Sequence, residues 1–141
     1  MPYVNRAAPW IYSYIQSDDV VCIDPTETTA GVGSDVFVKA VSFRLNQKID
    51  PDSLFRYKFE MKSTINLKMC YFEVRRNDSI VMFDGFTNTN VYQSFSENDP
   101  QTTWLLNDTV SLWVHGSVAD GNGAVVKNFE ICGFGSNWKK E

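Results

Sequence analysis

A single histidine, three cysteines and no closely spaced pair of metal ligands leave this chain of 141 residues with little obvious chemistry. Cys22, Cys70 and Cys132 lie far apart and form no CxxC motif. That argues against zinc, which draws four Cys or His ligands at short spacing. Each cysteine sits in an apolar stretch (Val-Val-Cys-Ile, Met-Cys-Tyr-Phe, Ile-Cys-Gly-Phe), so buried free thiols are predicted, with one disulfide and one spare thiol as the alternative. Positive charge is also scarce: 13 Lys and Arg stand against 17 Asp and Glu, giving a net charge of -4 and a pI near 4.9. A nucleic-acid partner would call for a basic patch, and none is expected. No apolar run approaches the roughly 18 residues of a membrane-spanning helix, and residues 1–16 lack the parts of a signal peptide. The expectation is a protein made in the cytoplasm, without membrane insertion.

Catalytic motifs are missing as well. His115 stands between Val114 and Gly116 with no GxSxG or HExxH pattern to supply a nucleophile or a metal, so no enzyme is expected. Asp120-Gly-Asn-Gly123 begins like a calcium loop, but Ala124 replaces an oxygen ligand and no glutamate stands at the twelfth position. It reads as a hairpin turn. Asp50, Asp52, Glu97, Asp99 and Asp108 carry oxygens that suit calcium, yet they are also ordinary residues of solvated turns, and neither a metal nor a cofactor is assigned. Gly31-Val-Gly-Ser34 has no lysine or following helix to cradle phosphate, and Thr26 to Ser34 reads as a polar loop.

What the chain does have is aromatic mass and alternation. Hydrophobic residues make up 43%, with 10 Phe, 6 Tyr and 4 Trp, enough to fill the core of one domain. Phe55, Tyr57, Phe59 and Met61 alternate with Arg56, Lys58, Glu60 and Lys62, the pattern of a strand with one dry and one wet face. The same period recurs along 68–75, 110–115 and 126–132. Strands are predicted at 10–16, 20–24, 36–45, 55–63, 68–76, 79–83, 89–95, 102–106, 109–116 and 125–134. Turns are predicted at Arg76-Asn77-Asp78, Asp84-Gly85, Ser96 to Pro100, Asn107-Asp108 and Asp120 to Gly123. A short Asp50-Pro-Asp-Ser-Leu54 turn is the best helical signal, so almost no helix is expected. The fold class is all-β, a single antiparallel β-sandwich over residues 20–141. Residues 1–19, with prolines at 2 and 9, read as an extended N-terminal arm carrying Tyr3, Trp10 and Tyr12.

Alternation also sorts the faces. If Val110, Leu112 and Val114 point inward, Trp113 and His115 point outward; if Cys70, Phe72 and Val74 point inward, Met69 and Tyr71 point outward. Large apolar groups on a wet face predict association through Met69, Tyr71, Trp113 and His115, and the two-sided apolarity of Val36–Ala40 and Ile80–Phe83 points the same way. Tyr92, Trp104 and Trp138 are candidates for stacking on sugar rings.

The segment Thr103-Trp-Leu-Leu-Asn-Asp-Thr-Val-Ser-Leu-Trp-Val-His115, the Gly-rich turn after it, and Val126-Lys-Asn-Phe-Glu-Ile-Cys-Gly-Phe134 resemble the C-terminal part of the tumour-necrosis-factor and C1q-like jelly rolls. Tyr71-Phe-Glu-Val-Arg-Arg-Asn-Asp-Ser-Ile80 looks like the strand, Asn turn and strand of the same fold. The resemblance spans about residues 36–134 and implies a jelly roll that packs as a homotrimer. With an aromatic arm in place of a stalk, the chain resembles the jelly-roll modules of bacteriophage decoration, head-fibre and tail-fibre proteins more closely than the animal families. What the resemblance implies is a non-enzymatic virion protein, docked through Tyr3, Trp10 and Tyr12 on capsid or tail proteins and possessing outer loops for a host-surface glycan. The alternative is a carbohydrate-binding module.

Overall fold

The computed structural model describes residues 20–48, 55–99, 104–132 and 136–141, with residues 20, 21, 47, 48 and 136–138 as backbone only. The arm with Tyr3, Trp10 and Tyr12, the strand expected at 10–16 and the Asp50–Leu54 turn lie outside these residues.

Ten strands are described: β1 (Val20–Asp24), β2 (Thr28–Ala30), β3 (Val38–Lys48), β4 (Arg56–Ser63), β5 (Cys70–Arg76), β6 (Ile80–Thr87), β7 (Gln93–Asn98), β8 (Thr109–His115), β9 (Ala124–Cys132) and β10 (Ser136–Lys140). They form two antiparallel sheets, ordered β1-β9-β4-β7 with β2 also on β9, and β10-β3-β8-β5-β6. The chain crosses repeatedly from one sheet to the other, and the protein is a β-sandwich of jelly-roll type. There is no helix among the described residues.

Alternation works as expected where it is cleanest. Along β4, Tyr57, Phe59 and Met61 are buried while Arg56, Lys58, Glu60 and Lys62 are half-exposed. Along β5 and β8, Cys70, Phe72, Val74, Val110, Leu112 and Val114 point into the core. Phe59 is the centre of that core, with ring centroids at 4.8 Å from Phe72, 5.3 Å from Phe95 and 6.1 Å from Phe129, and Phe43 stacks on Phe129 from the opposite sheet. Such ring pairs stabilise beyond the area they bury. All three cysteines are free thiols; Cys70 and Cys132 are buried and Cys22 is half-buried. Burial pushes the Cys22 thiol up to about 12 and Cys70 up to about 11, which keeps both protonated and unreactive.

One turn is fixed by side chains. Asn77 and Asp78 both have positive φ, 53° and 63°, the pair of left-handed residues that a tight hairpin between β5 and β6 requires. Asp108 then ties this hairpin to the start of β8. Its carboxylate accepts from Arg76 at 2.7 Å, from the Asn77 amide at 3.0 Å and from the Leu105 N–H at 2.9 Å, while Asn77 Oδ1 accepts from the Thr109 N–H at 2.9 Å. Burial opposes ionisation of Asp108, but these donors together hold its carboxyl below the usual aspartate value.

Several expectations need correction. Asp84-Gly85 is not a turn; it lies inside β6, where Gly85 faces Phe72 and a Cβ would stand 2.7 Å from that ring. Ser96 to Asn98 belong to β7, so the strand continues where a turn was expected. Thr28 to Ala30 form a short strand on β9 inside the stretch read as a loop. Residues 104–106 are not strand. Asp120 to Gly123 is no hairpin, because it leads from β8 in one sheet to β9 in the other. There Gly116 passes so close to the Asn122 backbone that a Cβ would collide with the Asn122 carbonyl oxygen at 1.8 Å. Val36, 72% exposed, and the half-exposed Ile80 and Val81 stand apart from these corrections, since the cover expected for them is a second copy of the chain.

Candidate functional site

The outer face of the β10-β3-β8-β5-β6 sheet gathers the most distinctive side chains. Register places Tyr71 on β5 opposite His115 on β8 and opposite Phe86 on β6. The rings follow that register. Phe37, arriving just before β3, meets His115 edge-on with centroids 4.5 Å apart; His115 stacks on Tyr71 at 4.8 Å; and Tyr71 stands 6.1 Å from Phe86. Phe86, at the open end of this row, is 60% exposed. His115 Nδ1 lies 2.7 Å from the Gly116 carbonyl, so in the neutral ring that nitrogen donates and Nε2 is left as an acceptor.

A second row runs beside the first. Glu73 stands opposite Asp84 on β6 and opposite Trp113 on β8, and Trp113 stands opposite Lys39 on β3. Arg75 sits over Trp113 at 4.3 Å and over Phe37 at 5.3 Å, and grips Glu73 Oε1 through Nε at 2.8 Å and a terminal nitrogen at 2.7 Å. Trp113 is therefore held, with its indole N–H given to Ser111 Oγ at 3.0 Å and Lys39 Nζ 5.4 Å from its ring. Between the rows runs a groove of about 380 Å3, lined by Phe37, Tyr71, Glu73, Asp84 and Phe86 over a floor of Phe72 and Gly85. Flat apolar walls with a few fixed acceptors are the usual make-up of a small-molecule or sugar subsite.

The structure thus brings Tyr71, Trp113 and His115 together on one face, as their strand parity implied. Met69 stands just before β5, where its carbonyl accepts from the buried Asn122 amide at 2.8 Å. The sugar-stacking candidates fare differently. Trp104 is 1% exposed, edge-on to Phe55, beneath the Arg76 guanidinium at 4.4 Å, with its indole N–H donated to Asp99 at 2.5 Å. It is a core residue and offers no face to a ligand. Tyr92, just before β7, lies beside the opposite sheet, with Lys62 and Lys127 at 4.6 Å and 4.1 Å from its ring and its hydroxyl bonded to Glu27. The Trp138 side chain lies outside the described residues. Asp99 and Asp108 spend their oxygens on Trp104 and on the β5–β6 hairpin, and Glu97 Oε1 accepts from the Asn98 N–H. Among the described residues no three acidic, His or Cys side chains form a metal-binding group. Phe37, Glu73, Asp84 and Phe86 were missed; Asp84 and Phe86 share a parity along β6 that the Asp-Gly pair concealed.

No protein-family model matches the chain, and no curated protein is significantly similar to it. Solved structures are similar to it. The insecticidal delta-endotoxin Cry8Ea1 of Bacillus thuringiensis is 16% identical over 70% of this chain and 18% of its own, with a TM-score of 0.53. The CBM22-1 and GH10 modules of the Clostridium thermocellum xylanase 10B are 13% identical over 81% of this chain and 29% of that one, with a TM-score of 0.47. The CBM36-1 domain of a multidomain xylanase from the hindgut metagenome of Trinervitermes trinervoides is 9% identical over 82% and 95% of the two chains, with a TM-score of 0.42. At 16% identity the likeness to the toxin is one of fold alone, and the chain spans less than a third of the toxin and of the xylanase modules.

Proposed function

We propose that the protein is a carbohydrate-binding module whose ligand lies along the outer face of the β10-β3-β8-β5-β6 sheet. The observation that carries this reading is the row Phe37, His115, Tyr71 and Phe86, in register across three strands and flanking a groove that holds two carboxylates. Sugar rings present apolar C–H faces to aromatic rings and hydroxyl donors to carboxylate acceptors, and this groove supplies both partners. The virion reading rests on the arm and on outer loops, and its arm residues lie outside those described.

The test is direct. Affinity electrophoresis and calorimetry of the full chain against a panel of soluble polysaccharides should find a ligand, and Tyr71→Ala and Phe86→Ala should each weaken it while the melting temperature holds. Absence of binding across the panel, or binding indifferent to both substitutions, would sink the proposal. The exposure of Phe86 favours a second reading, contact between copies of the chain through this face, including the trimer that the jelly-roll resemblance implies. Light scattering separates the two: an oligomer that Phe86→Ala dissociates supports the second, and a stable monomer the first.

A further inference from the structure

We infer that the groove selects a ligand carrying a cationic amine, which under the reading above means an amino sugar with a free ammonium group. The argument begins with register. Glu73 and Asp84 are directly opposite on β5 and β6 and both face outward, an arrangement in which like charges repel across the strand pair. Arg75 offsets only part of that repulsion, because both of its contacts go to Glu73 Oε1 and it lies on the Trp113 side of Glu73. Asp84 makes no hydrogen bond or ion pair among the described residues, and the groove lining contains no Lys, Arg or His.

The remaining walls have the chemistry that suits an ammonium. Phe37, Tyr71 and Phe86 line the same groove as the carboxylates, and the negative faces of aromatic rings attract a cation whose hydration has been partly removed. A neutral-sugar binder has no need of two opposed carboxylates of which only one is served by a guanidinium; a ligand ammonium seated between them would relieve the repulsion and gain the ring faces together. By the same electrostatics, a polyuronate would be repelled.

The experiment uses the full chain at mildly acid pH with glucosamine oligomers, their N-acetylated counterparts of equal length, neutral cello-oligosaccharides, oligogalacturonate and tetramethylammonium. Glucosamine oligomers should bind about tenfold more tightly than the N-acetylated ones, and the advantage should shrink as salt is raised. Asp84→Asn should erase the advantage, and Glu73→Gln provides a second route should that variant fold poorly. Equal binding of acetylated or neutral oligomers that Asp84→Asn does not alter would overturn the amine inference and leave the sugar reading intact. Tetramethylammonium binding with no glycan bound would keep the amine and overturn the sugar. Tighter binding of oligogalacturonate would overturn the charge argument outright.

Discussion

On the outer face of the β1-β9-β4-β7 sheet, Arg56 donates to Asn98 at 2.9 Å, Asn128 donates to Glu60 at 2.7 Å, and Lys62 and Lys127 cover the ring of Tyr92. On the other sheet the outward positions hold Phe37, Tyr71, Phe86, Trp113 and His115. Both sheets bury the same kind of residue inward, so the core does not explain the difference. Charged side chains with aliphatic stems shield one sheet from water, whereas on the other an aromatic row is left partly bare beside carboxylates. An exposed aromatic does not help folding as a buried one does, which is why the second face is where a ligand is sought.

The largest effect should come from the tryptophan that lies on neither face. Trp104→Ala removes a fully buried indole and should cost about 3–5 kcal/mol of stability in urea unfolding, without selectively impairing binding once the variant is folded. Tyr71→Ala should do the reverse: a loss of roughly thirtyfold in glycan affinity by calorimetry, with a much smaller change in unfolding. If Tyr92→Ala weakened binding as much, the distinction between the faces would fail. Asp108→Asn loosens the tie between the β5–β6 hairpin and β8 and should lower stability by about 1–2 kcal/mol at neutral pH. Because the Asp108 carboxyl is held below its ordinary value of 3.8, its contribution is complete above that value and disappears as the pH falls through the lower value of the folded state. The gap between wild type and Asp108→Asn should therefore close on acidification, as followed by thermal melts. The smallest effect belongs to the charged face, where Lys62→Gln with Lys127→Gln should change stability by less than about 1 kcal/mol and leave glycan binding untouched.

Strand parity made much of this visible beforehand. Where polar and apolar residues alternate strictly, as from Phe55 to Lys62, one face is forced inward and the strand could be read directly. The same logic placed Tyr71, Trp113 and His115 on one side of one sheet. It failed where a local turn signal competed with a tertiary requirement. Asp84-Gly85 has the composition of a turn, but the glycine is there because the Phe72 ring occupies the space a side chain would need. Ending the strand at Phe83 hid Asp84 and Phe86, two of the five residues that wall the groove. Trp104 was misread for the opposite reason: in irregular chain, nothing in the sequence shows that Arg76 and Asp99 will enclose it. Short polar edge strands such as β2 and β10 have no periodicity to read and exist because β9 and β3 offer them partners.

The order of strands in the two sheets also dictates when the molecule can form. Among the described strands only β5 and β6 are neighbours both along the chain and in a sheet; every other pairing joins segments separated by at least one intervening strand. β8 must slot between β3 and β5, and β9 between β1 and β4, so both sheets remain open until the last third of the chain arrives. Folding limited by such distant pairings is slow, on the order of milliseconds to seconds, and a chain still emerging from a ribosome would hold β3 and β4 with bare edges throughout that wait. Truncation before Thr109 would leave, among the described strands, only the β5–β6 hairpin and the β4–β7 pair, so the yield of soluble protein should depend more on β8 and β9 than on any residue of the groove.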